Sequence, residues 1–108
     1  MSTSIRVVLC TVPSEQVGET LARTLLEERL VACVNILPGV RSLYRWQGKL
    51  EDERELLLVM KTQAARYAEL EARIRALHPY EVCEVLALDV AQGSDAYLHW
   101  LRSETDES

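Results

Sequence analysis

Residues 32–50 read ACVNILPGVRSLYRWQGKL, and this stretch decides the fold. Its Val, Ile, Leu, Tyr and Trp residues are typical of extended strands. The Pro38-Gly39 pair interrupts the run and predicts a kink or bulge rather than the end of the strand. Gln47-Gly48 then predicts a tight turn, after which residues 49–62 run back as the second strand of a long hairpin.

The predicted hairpin is too long for its own domain. One bent strand over residues 31–46 spans ~50 Å at the usual rise per residue. Compactness scaling gives a domain of this size a diameter nearer ~30 Å. Part of the hairpin must therefore project as an arm. Its Tyr44 and Trp46, which share one face, need a surface to pack on, and we expect another copy of the same chain to supply it.

Apolar periodicity predicts the remaining elements. They are a strand at Ile5–Val12, a helix opened by Pro13-Ser14 with an apolar face from Val17 to Leu30, a helix over 66–77 stopped by His78-Pro79, a strand over 82–90 and a short helix after Gly93-Ser94-Asp95. This order predicts an α+β, ferredoxin-like βαββαβ sandwich with a long protruding β-hairpin and a short C-terminal helix.

The inner strands indicate that the sheet is covered on both faces. Two helices cover one face of such a sheet. The other face can remain exposed to solvent only if polar and apolar residues alternate along the strands. Val7-Val8-Leu9 and the run LLLVM at residues 56–60 do not alternate. Because the chain has no third large layer, we expect a homo-oligomer in which sheets pack against each other.

Composition narrows the function classes. We expect one domain over residues 1–108, with frayed ends at 1–4 and 104–108. A net charge of -5 disfavours nucleic acid and anionic membranes as partners, and no apolar run reaches the ~18 residues of a membrane span. Neither a signal-peptide pattern nor a Cys-x-x-Cys pair is present, so we expect a cytoplasmic protein without a disulfide framework.

Several motifs agree in order and spacing with one known family. They are Cys10-Thr11-Val12-Pro13, ACVNILPGVRS at 32–42, Tyr44-Arg45-Trp46-Gln47-Gly48-Lys49, Lys61-Thr62 and His78-Pro79-Tyr80-Glu81-Val82. On these motifs the chain, over about residues 5–102, resembles the CutA divalent-ion tolerance proteins. The resemblance implies a ferredoxin-like fold, a tight homotrimer laid out like that of PII signal proteins, a cytoplasmic setting in bacteria, and binding of copper and other divalent metals.

The candidate metal ligands are thiols and one imidazole. Cys10, Cys33 and Cys83 can supply the soft thiolates that suit Cu(I), with His78 as an imidazole partner. The alternative is that each cysteine is a small buried hydrophobe and that His78 caps the end of its helix.

The resemblance selects among these residues. The position matched by Cys10 is implicated in copper binding in some family members. Cys83 stands where the family usually has Pro, and Leu77 stands where some members carry a second His. We therefore predict a copper site of Cys10, His78 and Cys83, with a carboxylate from Glu84.

Aromatic and charged residues predict a second kind of site. We expect a ligand groove or inter-subunit contact formed by Tyr44, Trp46, Lys61, Tyr80, Glu81 and Trp100. Such a mixture of ring walls and a few charges is typical of small-molecule sites, and the alternative is a structural salt-bridge network at a subunit boundary.

The sequence holds no nucleophile–base motif or phosphate-binding glycine loop, so neither an enzyme nor an organic cofactor is expected. We predict a non-enzymatic copper-binding protein that contributes to metal tolerance. The alternative is a PII-like signalling trimer with a small molecule in an inter-subunit groove.

Overall fold

The computed structural model describes residues 3–106. In chain order the elements are β1 (Ile5–Val12), α1 (Glu15–Glu27), β2 (Cys33–Trp46), β3 (Lys49–Gln63), a 3-10 turn (Ala64–Arg66), α2 (Tyr67–Leu77), β4 (Leu86–Asp89) and α3 (Asp95–Thr105). The strands form one antiparallel sheet in the order β2-β3-β1-β4. The predicted α+β class and order of elements are confirmed.

The long hairpin projects from the rest of the sheet. β1 pairs with β3 only from Leu56 to Gln63, so the part of β3 before Leu56 pairs with β2 alone. A register shift between Leu37 and Val40 places the predicted bulge at Pro38-Gly39. Gln47 and Gly48 both have positive φ, 49° and 79°, as a tight hairpin turn requires.

Helix α1 packs closely on the sheet. The Ser14 side chain accepts a hydrogen bond from the Val17 backbone N–H and so caps the helix. A Cβ on Gly18 would lie 3.3 Å from Val12 Cγ2 and 3.5 Å from Leu58 Cδ2. Glycine at this position therefore allows the close helix–sheet approach.

The last strand is shorter than the predicted 82–90, because it pairs with β1 only as far as Leu9. Thr11 is the next β1 residue whose carbonyl points towards that side of the sheet. Its oxygen instead accepts a hydrogen bond from His78 Nε2 at 2.8 Å. The imidazole takes the place that a longer strand would fill, and residues 82–85 form a loop.

The chain ends that the structure describes are held by hydrogen bonds or burial. The Thr3 N–H donates to the Val90 carbonyl at 2.9 Å, and the Ser4 carbonyl accepts from the Ala64 N–H at 2.7 Å. Helix α3 continues through Thr105, which is fully buried. Residues 3–4 and 104–105 thus have partners in the fold, and residues 1–2 and 107–108 of the predicted frayed ends lie outside the described part.

The two faces of the sheet have different surroundings. Helices α1 and α2 cover one face, and the core between them includes Val8, Cys10, Val12, Leu21, Leu25, Leu58, Met60, Leu70 and Ile74. On the other face α3 covers only one end, where Leu98 and Leu101 pack on Ile5. The rest of that face has no covering element within residues 3–106. We call it the open face, and it carries Val7, Leu9, Leu37, Leu57, Val59, Leu86 and Leu88.

None of the helices in residues 3–106 combines the length and apolar character that a membrane span needs.

Candidate metal and ligand sites

Cys10 lies on the helix-covered face of β1, and none of its surface is exposed. Its Sγ lies 3.6 Å from the Thr11 carbonyl, to which the thiol donates. Burial raises the pKa of the Cys10 thiol from 9.0 to about 12, and neighbouring ionisable groups add to that effect. In order of importance these groups are Cys83, Glu84 and Glu55. These three side chains thus favour the protonated form of the Cys10 thiol, and by the same electrostatic effect they favour a cation bound at its sulfur.

His78 uses both ring nitrogens in bonds to backbone. Nε2 donates to the Thr11 carbonyl at 2.8 Å, and Nδ1 accepts from the Tyr80 N–H at 3.1 Å. These partners fix the neutral tautomer that carries its proton on Nε2. His78 is also the C-terminal cap of α2 and is 7% exposed. It serves here as a structural link, and metal ligation would have to replace one of its two bonds.

The remaining predicted ligands lie near Cys10 without forming a complete site. Cys83 is half-buried against the core cluster that contains Cys10, and Glu84 follows it in the loop before β4. Cys33 lies on the opposite face of the sheet, paired with Lys61 across the β2–β3 ladder. Within residues 3–106 there is no group of three His, Cys, Asp or Glu side chains arranged to hold a metal ion.

A groove of about 880 Å³ lies between the arm and the loop over residues 79–84. The predicted residues Tyr44, Trp46, Tyr80 and Glu81 line it, as do Cys83 and Glu84. The structure thus brings most of the predicted aromatic and acidic residues together. The same loop supplies one wall of the groove and two of the candidate metal ligands.

Two residues predicted for this groove lie elsewhere. Lys61 is at the far end of β3, where its Nζ contacts Asn35 Oδ1 and lies 3.8 Å from Cys33 Sγ. Trp100 is on α3, with its ring 5.5 Å from that of Tyr97. Both belong to the end of the sheet that α3 covers, whereas the groove lies at the end from which the arm projects.

Glu55 is a groove residue that the sequence reasoning missed. It is 6% exposed, and its Oε2 accepts a hydrogen bond from the Tyr80 hydroxyl at 2.8 Å. Burial, and then this carboxylate, raise the pKa of Tyr80 above its usual range. Two features of the sequence could have indicated Glu55 as a groove residue. It directly precedes the apolar run of β3, and it lies on the strand that pairs with the one carrying Tyr44 and Trp46.

Comparisons with known proteins agree with these observations. Residues 6–104 match the family model described as CutA1 divalent ion tolerance protein. The chain is 54% identical over 99 residues to the divalent-cation tolerance protein CutA of Thermus thermophilus, covering 92% of this chain and 96% of that one. A solved structure of the divalent cation tolerance protein (Cut A1) from Thermus thermophilus superimposes with a TM-score of 0.92 at 53% identity, covering 94% of this chain and 99% of the other.

A plant relative shows that a similar sequence occurs within a longer protein. The chain is 44% identical over 99 residues to the Arabidopsis thaliana protein named CutA, chloroplastic, covering 92% of this chain but 54% of the relative. The family's compartments therefore include one other than the predicted cytoplasm. The match to the family model nevertheless extends from β1 into α3, and the described fold is that of the solved relative. The chain belongs to the CutA1 divalent ion tolerance protein family.

Proposed function

We propose that this protein contributes to divalent-cation tolerance by binding metal, copper first, without catalysing a reaction. The observation that carries the proposal is the position of the buried Cys10 thiol in the core cluster against which Cys83 packs. A second thiol, Cys83, and the Glu84 carboxylate both act on it electrostatically. Thiolates are the ligands that Cu(I) prefers, and a bound cation would compensate the negative charge that a thiol acquires when it loses its proton to bind the metal.

The proposed ligand set is Cys10, Cys83 and Glu84, with His78 as a further candidate. Metal binding must displace the Cys10 proton, because the thiolate is the form that binds a metal. Since the pKa of Cys10 is raised to about 12, the apparent copper affinity should increase with pH through the neutral range. For His78 to join, the metal would have to replace the hydrogen bond to Thr11 or the one from Tyr80.

Competitive Cu(I) titration under reducing conditions tests this assignment. We expect stoichiometric binding by the parent protein and its loss in a Cys10→Ala, His78→Ala double variant. Each single variant reports whether His78 is a ligand or only a structural link. A Cys33→Ala variant is the matched control, since it removes a thiol from the opposite face of the sheet. Unchanged binding in the double variant would refute the assignment.

We further propose that the protein is a cytoplasmic homotrimer. The open face supports self-association, because seven Val and Leu side chains on it are at least partly exposed and no element of residues 3–106 packs on them. A contiguous apolar surface of this kind is typical of an interface. Sedimentation should give a species three times the 12.3 kDa chain mass, and a 12.3 kDa species at micromolar protein would contradict the proposal.

A second candidate function is that of a PII-like trimeric signalling protein with a small molecule in an inter-subunit groove. The groove between the arm and the loop over residues 79–84 supports it, since its volume of about 880 Å³ and its aromatic walls suit a small organic ligand. A thermal-shift screen of nucleotides and metabolites should identify a stabilising ligand. A screen without any stabilising compound would contradict this function and leave the metal proposal standing.

A further inference from the structure

A thiol and an amine face each other at the end of the sheet that α3 covers. Cys33 of β2 lies directly opposite Lys61 of β3 in the ladder, so the two side chains project from the same face. The ammonium group of Lys61 donates towards Cys33 Sγ, with 3.8 Å between Nζ and Sγ. The proposed metal site uses neither group, since Cys10 lies on the opposite face of the sheet.

Neighbouring side chains keep the two groups together. The amide oxygen of Asn35 contacts Lys61 Nζ and lies 3.9 Å from Cys33 Sγ, so both groups share one acceptor. Tyr97 of α3 lies near the same sulfur, since burial and then Cys33 raise the pKa of its hydroxyl. A lysine usually extends its ammonium group into water. Here Asn35 holds that group beside a thiol.

Both groups are within reach of a small oxidant. Cys33 and Lys61 are half-buried, whereas none of the surface of Cys10 is exposed. The element that lies beside the pair is α3 of the same chain, which supplies Tyr97. Hydrogen peroxide, a molecule little larger than water, can therefore approach the Cys33 sulfur. The first product of that reaction, a sulfenic acid, forms next to a nitrogen.

We propose that hydrogen peroxide converts Cys33 and Lys61 into a covalent crosslink in which one oxygen atom bridges Sγ and Nζ. A first peroxide oxidises the Cys33 thiol to the sulfenic acid and yields one water. Lys61 loses its ammonium proton to solvent, and a second peroxide then accepts the sulfenic hydrogen and one amine hydrogen as the N–O bond forms, which yields two waters. One thiol, one amine and two peroxides thus give one S–O–N bridge and three waters. The protein loses four electrons, and each peroxide takes two.

The geometry favours this bridge over other products of Cys33 oxidation. The separation of 3.8 Å leaves room for one oxygen atom, whereas a direct S–N bond would need a larger movement of side chains on strands whose register is fixed. A disulfide would need a second thiol on this face. Cys10 lies on the other face, and Cys83 packs against the core that contains Cys10. The bridge would join β2 to β3 and remove the positive charge of Lys61.

Mass spectrometry of the metal-free protein after treatment with hydrogen peroxide tests the proposal. We expect a species about 14 Da heavier than the reduced chain, from one oxygen gained and two hydrogens lost, which a thiol reductant returns to the original mass. A tryptic digest should yield residues 30–41 joined to residues 55–66. Cys33→Ala and Lys61→Arg should each abolish this species, since arginine keeps the charge but lacks the amine. Lys49 is the other lysine of the chain, so Lys49→Arg is the matched control and should keep the species.

Any of four results would overturn the crosslink. These are oxygen addition at Cys33 without joined peptides, a joined pair that contains Lys49 or Cys83, persistence of the heavier species in Lys61→Arg, and a joined pair that is two hydrogens lighter, which would show a direct S–N bond. The copper titration depends on Cys10 and Cys83, so its failure would leave this crosslink standing.

Discussion

Replacing Cys10 should change how the stability of the protein depends on pH. In the folded chain the thiol has a pKa of about 12, against 9.0 for an unperturbed cysteine. The folded state therefore binds this proton more tightly than the unfolded state. Its contribution to stability is fully present below pH 9.0 and is lost as the pH rises from 9.0 towards 12.

The size of the effect follows from the shift. As the pH rises from one pH unit below to one pH unit above the pKa of Cys10 in the unfolded chain, the free energy of unfolding should fall by about 1.4 kcal/mol because of Cys10 alone. Over the whole range the loss reaches about 4 kcal/mol. The lower interval is the useful one, since tyrosines, among them Tyr80 with its raised pKa, titrate above it.

Urea unfolding at fixed protomer concentration and with a thiol reductant measures this change. Cys10→Ala should be less stable at all pH values because it leaves a cavity in the core, but it should lack the alkaline decline of about 1.4 kcal/mol. Cys33→Ala keeps the buried thiol and should keep the decline. The same decline in Cys10→Ala as in the parent would refute the buried, protonated state of this thiol.

Three further predictions concern assembly and folding. Val59→Asp places a charge on the open face and should yield a 12.3 kDa species in sedimentation. The control Leu26→Asp, at a position of α1 that is 40% exposed, should remain a trimer. A trimer in both variants would exclude the open face as the interface. Leu58→Ala, at a fully buried position, should lower the free energy of unfolding in urea by about 3 kcal/mol. Leu50→Ala, at a position of the arm that is 72% exposed, should leave it almost unchanged. Similar losses in the two variants would contradict the described core. Ser14→Ala removes the α1 cap and should cost about 1 kcal/mol, while an unchanged midpoint would show that the hydrogen bond to Val17 contributes nothing.

Local sequence patterns predict the fold well because they act over short distances. The bulge at Pro38-Gly39, the turn at Gln47-Gly48 and the close approach at Gly18 each follow from the backbone preferences of one or two residues. The late start of β4 at Leu86 does not follow from such a preference, because the imidazole of His78 binds the Thr11 carbonyl, 67 positions away in the chain. A side chain that competes with a strand for a carbonyl so distant in sequence leaves no periodic signal in the strand itself.

The candidate sites depend on which end of the sheet each residue occupies. The sequence pattern grouped Lys61 and Trp100 with the arm, but α3 packs at the opposite end, where both residues lie. The structure places Tyr80 and Glu81 in the same groove as Tyr44, since the loop after α2 lies beside the arm. Glu55 was not predicted as a groove residue, because its contact with the Tyr80 hydroxyl joins residues 25 positions apart.

The most direct test of the proposed copper site is a crystal structure of the protein with Cu(I) bound, using anomalous scattering at the copper edge. We predict one strong peak per chain within bonding distance of Cys10 Sγ and of Cys83 Sγ or the Glu84 carboxylate. A peak confined to other residues, or full copper occupancy in crystals of a Cys10→Ala variant, would contradict the proposed metal-binding function at this site.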